Sequence, residues 1–290
     1  MKILVLGAGA IGVYLGTLLN SKGNDVTLVG RKKLKKLHET LLIDDSSYTL
    51  PKRAYKLPNH KNYDIIFVTS KLYDLENNLE SINTHKLSSK YLVSIQNGLV
   101  DNSLYEKYIH SFKFCTVSVF EGFRLLENQL FISKSETGWK TDNTQSGKEI
   151  ALLLKHSGIN CATAKDLDQI KAEKTVMNCS VNLLSAVEKK TFYELCKNKE
   201  TAKTIDTLFN ETYDIINKKV KMRPKEELRK LLYSTISNMR HYSSTYQDAV
   251  SKHKTEVDFL NGFVSNLGKE VNILTPYNNH LLEEFKKKYK

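Results

Sequence analysis

Short apolar runs punctuate the first part of the chain, at residues 2–6, 26–29, 65–69, 92–95, 113–119, 130–133 and 158–164. Each has the length of a strand, and stretches of helical spacing follow several of them, as at residues 13–19 and 148–156. That alternation predicts an α/β sheet. Beyond residue 166 the rhythm changes to one of helical spacing, with almost no strand signal. Helices are predicted over residues 167–187, 199–220, 224–239, 255–269 and 277–289. Asn198 stands where an N-cap is wanted, and Pro224 and Pro276 stand at helix starts. The boundary therefore falls near residues 165–167, giving one domain over residues 1–166 and an all-α domain over residues 167–290. No low-complexity linker separates them, which predicts tight packing with a cleft between the two.

The first strand and first helix are joined by Gly7-Ala8-Gly9-Ala10-Ile11-Gly12, a G-x-G-x-x-G in the strand–turn–helix setting that gives it meaning. Gly7 permits the tight turn, Gly9 lets a pyrophosphate approach the backbone, and Gly12 lets helix and strand pack closely. The helix N-terminus supplies free N–H groups for the phosphates. The N-terminal domain is thus a dinucleotide-binding Rossmann domain. After the second strand an NAD site commonly carries an acid for the ribose hydroxyls. Here the chain reads Gly30-Arg31-Lys32-Lys33, with no acid between residues 26 and 37. Arg31 suits a bidentate pair with a 2′-phosphate, and Lys32 adds a second charge, so the expected cofactor is NADPH. A solvated basic helix start is the plainer alternative.

The predicted helix at residues 167–187 carries Lys174, Asn178 and Asn182 at i, i+4 and i+8, a polar stripe on an otherwise apolar helix. A buried lysine with two asparagines in line demands partners. They are either a hydrogen-bond network with another helix or a ligand at a chemical site. Lys171 lies near the same stripe and rivals Lys174 for any role. Later, Ser243-Ser244 precedes Gln247-Asp248, and Glu256 precedes Asp258 and Asn261. Glu256 is an ordinary acid at a helix start or the charge partner of a lysine in the cleft.

Charge and cysteine usage narrow the setting. The 290 residues carry a formal net charge of +12. The lysines are scattered, apart from short clusters at residues 32–36 and 286–290, and no nucleic-acid motif accompanies them. A basic surface suits an anionic cofactor and substrate instead. Cys115, Cys161, Cys179 and Cys196 have neither C-x-x-C spacing nor a disulfide framework, which points to a reducing, cytoplasmic setting. The apolar start is interrupted by glycines at dinucleotide-motif spacing and is read as neither an export signal nor a membrane span.

In their order along the chain, the glycine motif, Arg31, Val68-Thr69-Ser70-Lys71, Gln96-Asn97-Gly98, Lys174-x-x-x-Asn178-x-x-x-Asn182, Ser243-Ser244-x-x-Gln247-Asp248 and Thr255-Glu256-x-Asp258-x-x-Asn261-Gly262-Phe263 resemble the 2-dehydropantoate 2-reductase (ketopantoate reductase) family. The resemblance runs essentially the whole length. It implies NADPH-dependent reduction of 2-dehydropantoate to (R)-pantoate, on the route to coenzyme A, by a monomer or homodimer. It implies that Lys174 is the general acid and that Asn178, Asn182 and Ser244 orient the substrate. Glu256 would position Lys174 and contact the nicotinamide end of the cofactor. Gly7 to Gly12, Lys71 and Asn97 would contact the cofactor, with Arg31 on its 2′-phosphate. Two stretches depart from the family pattern. Lys189-Lys190-Thr191-Phe192-Tyr193 lacks an expected Asn, and residues 119–139 lack the usual small, Gly-rich pattern. Two alternatives follow: a reductase of a different 2-oxo acid on the same fold, and a non-catalytic NADPH-binding sensor.

Overall fold

The computed structural model describes residues 1–30, 34, 36–100, 102–108 and 112–289. The chain divides into two compact units, Met1–Leu167 and Asp168–Lys290.

The first unit is built on alternation. In β1 (Lys2–Leu6), Ile3 and Val5 enter one apolar cluster while Leu4 and Leu6 enter another. A strand buried on both faces needs cover on both faces. On the first face lie α1 (Ala10–Ser21), through Val13, Leu15 and Leu19, and α4 (Gln145–His156), through Ile150 and Leu154. On the second lies α2 (Leu75–Thr84), through Leu75, Leu79 and Ile82, with Tyr105 of α3 (Asn102–Glu106). β1 pairs in parallel with β2 (Asp25–Val29) on one side and β6 (Asn62–Val68) on the other. Beyond β2 lies β5 (Lys52–Ala54), and beyond β6 lie β7 (Ser88–Ser94) and β8 (Lys113–Val119), all parallel. β11 (Trp139–Thr141) runs antiparallel to β8, and β12 (Cys161–Thr163) closes that edge. The order is β12-β11-β8-β7-β6-β1-β2-β5, so the chain direction across the sheet reverses between β1 and β6.

A second, four-stranded sheet has the order β4-β3-β10-β9, from β3 (Thr40–Ile43), β4 (Ser46–Thr49), β9 (Gly122–Leu126) and β10 (Gln129–Ser133). Of these only β10 is among the strands predicted from the sequence. The departing stretch at residues 119–139 builds β9, β10 and the start of β11. Phe123 and Trp139 pack with Tyr14 of α1, with ring centroids 5.0 to 6.2 Å apart. Trp139 is fully buried, and its Nε1–H donates to Glu121 Oε2 at 2.8 Å.

The second unit is helical: α5 (Leu167–Glu188), α6 (Phe192–Lys197), α7 (Lys199–Lys219), α8 (Lys225–Ile236), α9 (Ser244–Val250), α10 (Asn261–Glu270) and α11 (Pro276–Lys288). The Asn198 side chain caps α7, accepting from the N–H groups of Glu200 and Thr201, and Pro276 opens α11. Residues 255–269 do not form the single helix expected. A 3-10 turn at Val257–Phe259 ends at Leu260, whose φ of −110° and ψ of −93° break the helical path before α10. No described helix is long and apolar enough to cross a membrane.

Candidate active site

In the first unit, the loops after β1, β6 and β7 lie at the carboxyl ends of parallel strands flanking the reversal, where open α/β sheets bind ligands. Gly7 has a φ of +125°, and a Cβ there would meet Ser70 N at 2.6 Å. A Cβ on Gly12 would fall 1.8 Å from Gly7 O, so this helix turn rides directly on the loop. By contrast, nothing lies within 4 Å of a Cβ on Gly9, which is exposed. Gly9 is also the N-cap of α1 and brings no side-chain acceptor to the first-turn N–H groups. A helix start that presents bare N–H groups beside open space is suited to an anion. Ala8, Ala10 and Ile11 complete this turn, each partly exposed.

The neighbouring loops are held by side chains to which no role was assigned from sequence. Thr69 Oγ1 donates to Gly7 O at 2.7 Å. Gln96 Nε2 donates to Val68 O at 2.9 Å and to Ser70 O at 3.2 Å, tying the loop after β7 to the loop after β6. Lys71 and Asn97, both half-buried, sit in these two loops. Gly30 follows β2 at a point where a Cβ would fall 2.3 Å from Ala8 Cβ. Arg31 and Lys32, named for the 2′-phosphate, lie outside the described residues.

In the second unit, α5 carries the polar stripe. Lys174 and Asn178 are half-buried, and Asn182 is buried. Among the described residues, the carboxamides of Asn178 and Asn182 have no hydrogen-bond partner. The alternative of an inter-helix network through these amides therefore does not hold there. Lys174 is pushed down to about 8, by burial first and then by the charge of Lys171, while the charge of Glu256 opposes the fall. Glu256 is buried immediately before the 3-10 turn and close enough for that charge to act. Lys174 and Glu256 are thus brought together from 82 residues apart along the chain.

Two anchors missed as such in the sequence lock this arrangement. Ser243 caps α9, accepting from Tyr246 N–H, while its hydroxyl donates to Asn182 O at 2.7 Å. Its own N–H donates to Ser185 Oγ at 3.2 Å. Ser244, the first residue of α9, is exposed next to this clamp. Asn261 is buried and donates through Nδ2 to Cys179 O and to Asn278 Oδ1, both at 2.8 Å. The signal for Ser243 is its residue type in the Ser243-Ser244 pair, serine being a favoured N-cap residue. Phe192, in the stretch that lacks the expected Asn, is buried, with its ring edge-on to His241 at 5.3 Å.

The family model for ketopantoate reductase PanE/ApbA matches residues 3–138, and that for the ketopantoate reductase PanE/ApbA C terminal matches residues 166–289. The chain belongs to the ketopantoate reductase family. Curated relatives include the 2-dehydropantoate 2-reductases of Aquifex aeolicus (24% identical) and Vibrio cholerae (25% identical), each match covering 99% of this chain and 97% of the relative. Among solved structures, D-mandelate dehydrogenase with NADH and anilino(oxo)acetate aligns with a TM-score of 0.88 at 23% identity, over 100% of this chain and 98% of that one. A PanE/ApbA family ketopantoate reductase from Ralstonia eutropha aligns with a TM-score of 0.87 at 19% identity, over 99% of this chain and 97% of that one. Family membership brings oxidoreductase activity on a CH–OH group and a nicotinamide cofactor.

Proposed function

We propose that this protein reduces 2-dehydropantoate to (R)-pantoate with NADPH. The observation that carries the reading is the protonatable amine of Lys174, poised near neutrality on a stripe whose two carboxamides are left for a ligand. The cofactor fits the first unit. Gly7 and Gly12 tolerate no Cβ, Gly9 opens onto free space, and the start of α1 has no side-chain cap. Gly7 to Gly12 would hold the pyrophosphate, Lys71 and Asn97 would contact the cofactor further along, and Arg31 would take the 2′-phosphate. Bound there, the reduced nicotinamide supplies a hydride to the ketone carbon.

The residues of α5 do the rest. Negative charge gathers on the ketone oxygen as the carbon is reduced, and the Lys174 ammonium stabilises that charge and then gives up its proton. Asn178, Asn182 and Ser244 offer donors and acceptors to the carboxylate and hydroxyl oxygens, fixing which face is reduced. Glu256 keeps Lys174 charged against burial. Each turnover consumes one hydride and one proton and leaves a secondary alcohol.

A second reading has its own support. Phe192 is buried in the stretch that lacks the expected Asn, and D-mandelate dehydrogenase is among the similar folds. Both favour a 2-oxo acid with an apolar or aromatic substituent. The test is loss of NADPH absorbance with 2-dehydropantoate beside a panel of aliphatic and aromatic 2-oxo acids, each repeated with NADH. The expected result is the highest kcat/KM for 2-dehydropantoate with NADPH, and loss of at least about 100-fold in kcat for Lys174→Ala. A clear preference for phenylglyoxylate selects the second reading. NADPH binding without turnover on any acid selects a sensor.

A further inference from the structure

Lys171 has no part in the chemistry above, yet it is the most deeply buried cation on the stripe. At about 100° per residue, Lys171, Lys174, Asn178 and Asn182 fall within an arc of about 80° on α5. The Lys171 side chain is 8% exposed, and among the described residues its Nζ has no hydrogen-bond or ion-pair partner. Thr175 Oγ1 donates to the Lys171 backbone carbonyl and does not involve the amine. Asn182, also 8% exposed, presents an unpartnered carboxamide on the same stripe.

The charges around the two amines do not balance. Asp168, on the same helix, acts on Lys171 from an exposed position. Glu256 acts on Lys174, and Lys171 itself depresses Lys174. Two amines thus share the stripe with one buried carboxylate. Burying an ammonium without a counter-ion is costly, and here burial pushes the Lys171 amine down. A bound anion would remove that cost. The spacing suits a 2-oxo acid, whose carboxylate and ketone lie on adjacent carbons. Residues three apart on a helix have Cβ atoms about 5–6 Å apart, within reach of two flexible lysines converging on neighbouring groups.

We propose that Lys171 binds the carboxylate of the 2-oxo acid, forming with Asn182 an anion subsite beside the proton donor Lys174. The inference rests on the 2-oxo acid reading above but not on which acid is used. It makes the carboxylate, more than the rest of the substrate, the group this chain selects.

The test compares the wild-type protein with Lys171→Met and Lys171→Arg in steady-state reduction of 2-dehydropantoate and of phenylglyoxylate, each beside its uncharged amide. Titration of anilino(oxo)acetate into the NADPH complex, by calorimetry in two buffers of different ionisation enthalpy, accompanies it. For whichever acid the protein uses, Lys171→Met is expected to raise KM by at least about tenfold, at most about threefold of the effect falling on kcat. The amide should be handled alike by both proteins, and Lys171→Arg should recover most of the acid's affinity. Anion binding should draw protons onto the wild-type protein, and fewer onto Lys171→Met, because a counter-ion raises a depressed amine. An unchanged KM with turnover intact overturns the subsite and leaves the proposed reaction standing. An equal loss on acid and amide, or weakened NADPH binding with anilino(oxo)acetate binding unchanged, also overturns it. Rejection of 2-dehydropantoate, with the Lys171 effect intact on phenylglyoxylate, overturns the proposed substrate and keeps the subsite.

Discussion

At the scale of single residues, the proposed chemistry turns on the proton inventory of α5. Lys174 is pushed down to about 8 by burial and by Lys171, against the pull of Glu256. An amine donates a proton only while it holds one. Reduction should therefore be fastest below about pH 8 and fall as pH rises through that value, while the reverse oxidation should rise through it. Removing the carboxylate charge with Glu256→Gln takes away an influence that raises Lys174. The descending limb of the kcat profile should then move to lower pH, and Lys171→Met should move it to higher pH. Opposite displacements in the two variants, measured under saturating cofactor, are the diagnostic. Limbs that coincide with wild type would remove Lys174 from the role of acid. The stripe itself was legible from spacing at i, i+4 and i+8. The depth of Lys171 was not, because burial at that position depends on elements far away in sequence.

At the scale of elements, legibility followed length and periodicity. β1 was readable as an unbroken apolar run buried on both faces, and the long helices α5 and α7 because many residues repeat the same face. β4 and β5, of four and three residues, expose much of their length, and β3, which buries Leu41 and Ile43, is too short at four residues for its alternation to stand out. The short helix α9 was likewise hidden, although its cap was visible as a serine pair. That cap is where two elements meet. The Ser243 hydroxyl holds the first turn of α9 and also reaches Asn182 O on α5, and Ser244 sits beside it. Ser243→Ala removes both bonds from a buried position and should cost about 1–3 kcal/mol of stability, seen as a lower urea midpoint with the slope unchanged. Because the adjoining Ser244 would lose its fixed position, KM for the acid should rise more than KM for NADPH. Equal effects on both constants would make the serine a general support of the fold. The break at Leu260 belongs to the same scale. It separates the 3-10 turn beside Glu256 from α10, which opens with the buried Asn261.

At the scale of the whole molecule, the excess of positive charge bears on how ligands arrive. Lys and Arg outnumber Asp and Glu by 44 to 32, and five of the six residues at 31–36 are basic. Most described ion pairs are exposed, such as Lys52–Asp25 and Lys134–Asp44, and such pairs contribute little to stability. The uncompensated charge is better understood through long-range attraction, which decays over about 10 Å at 0.1 M salt. Both ligands of the proposed reaction are anions, so kcat/KM should fall as salt rises from low ionic strength, while kcat changes little. NADPH carries a 2′-phosphate that NADH lacks. If Arg31 and Lys32 read that group, the salt dependence of kcat/KM should be steeper for NADPH than for NADH. Arg31→Ala should flatten the NADPH slope toward the NADH one and erode the preference between them. Parallel slopes in the wild-type protein would mean that the basic run is solvated surface with no part in choosing the cofactor.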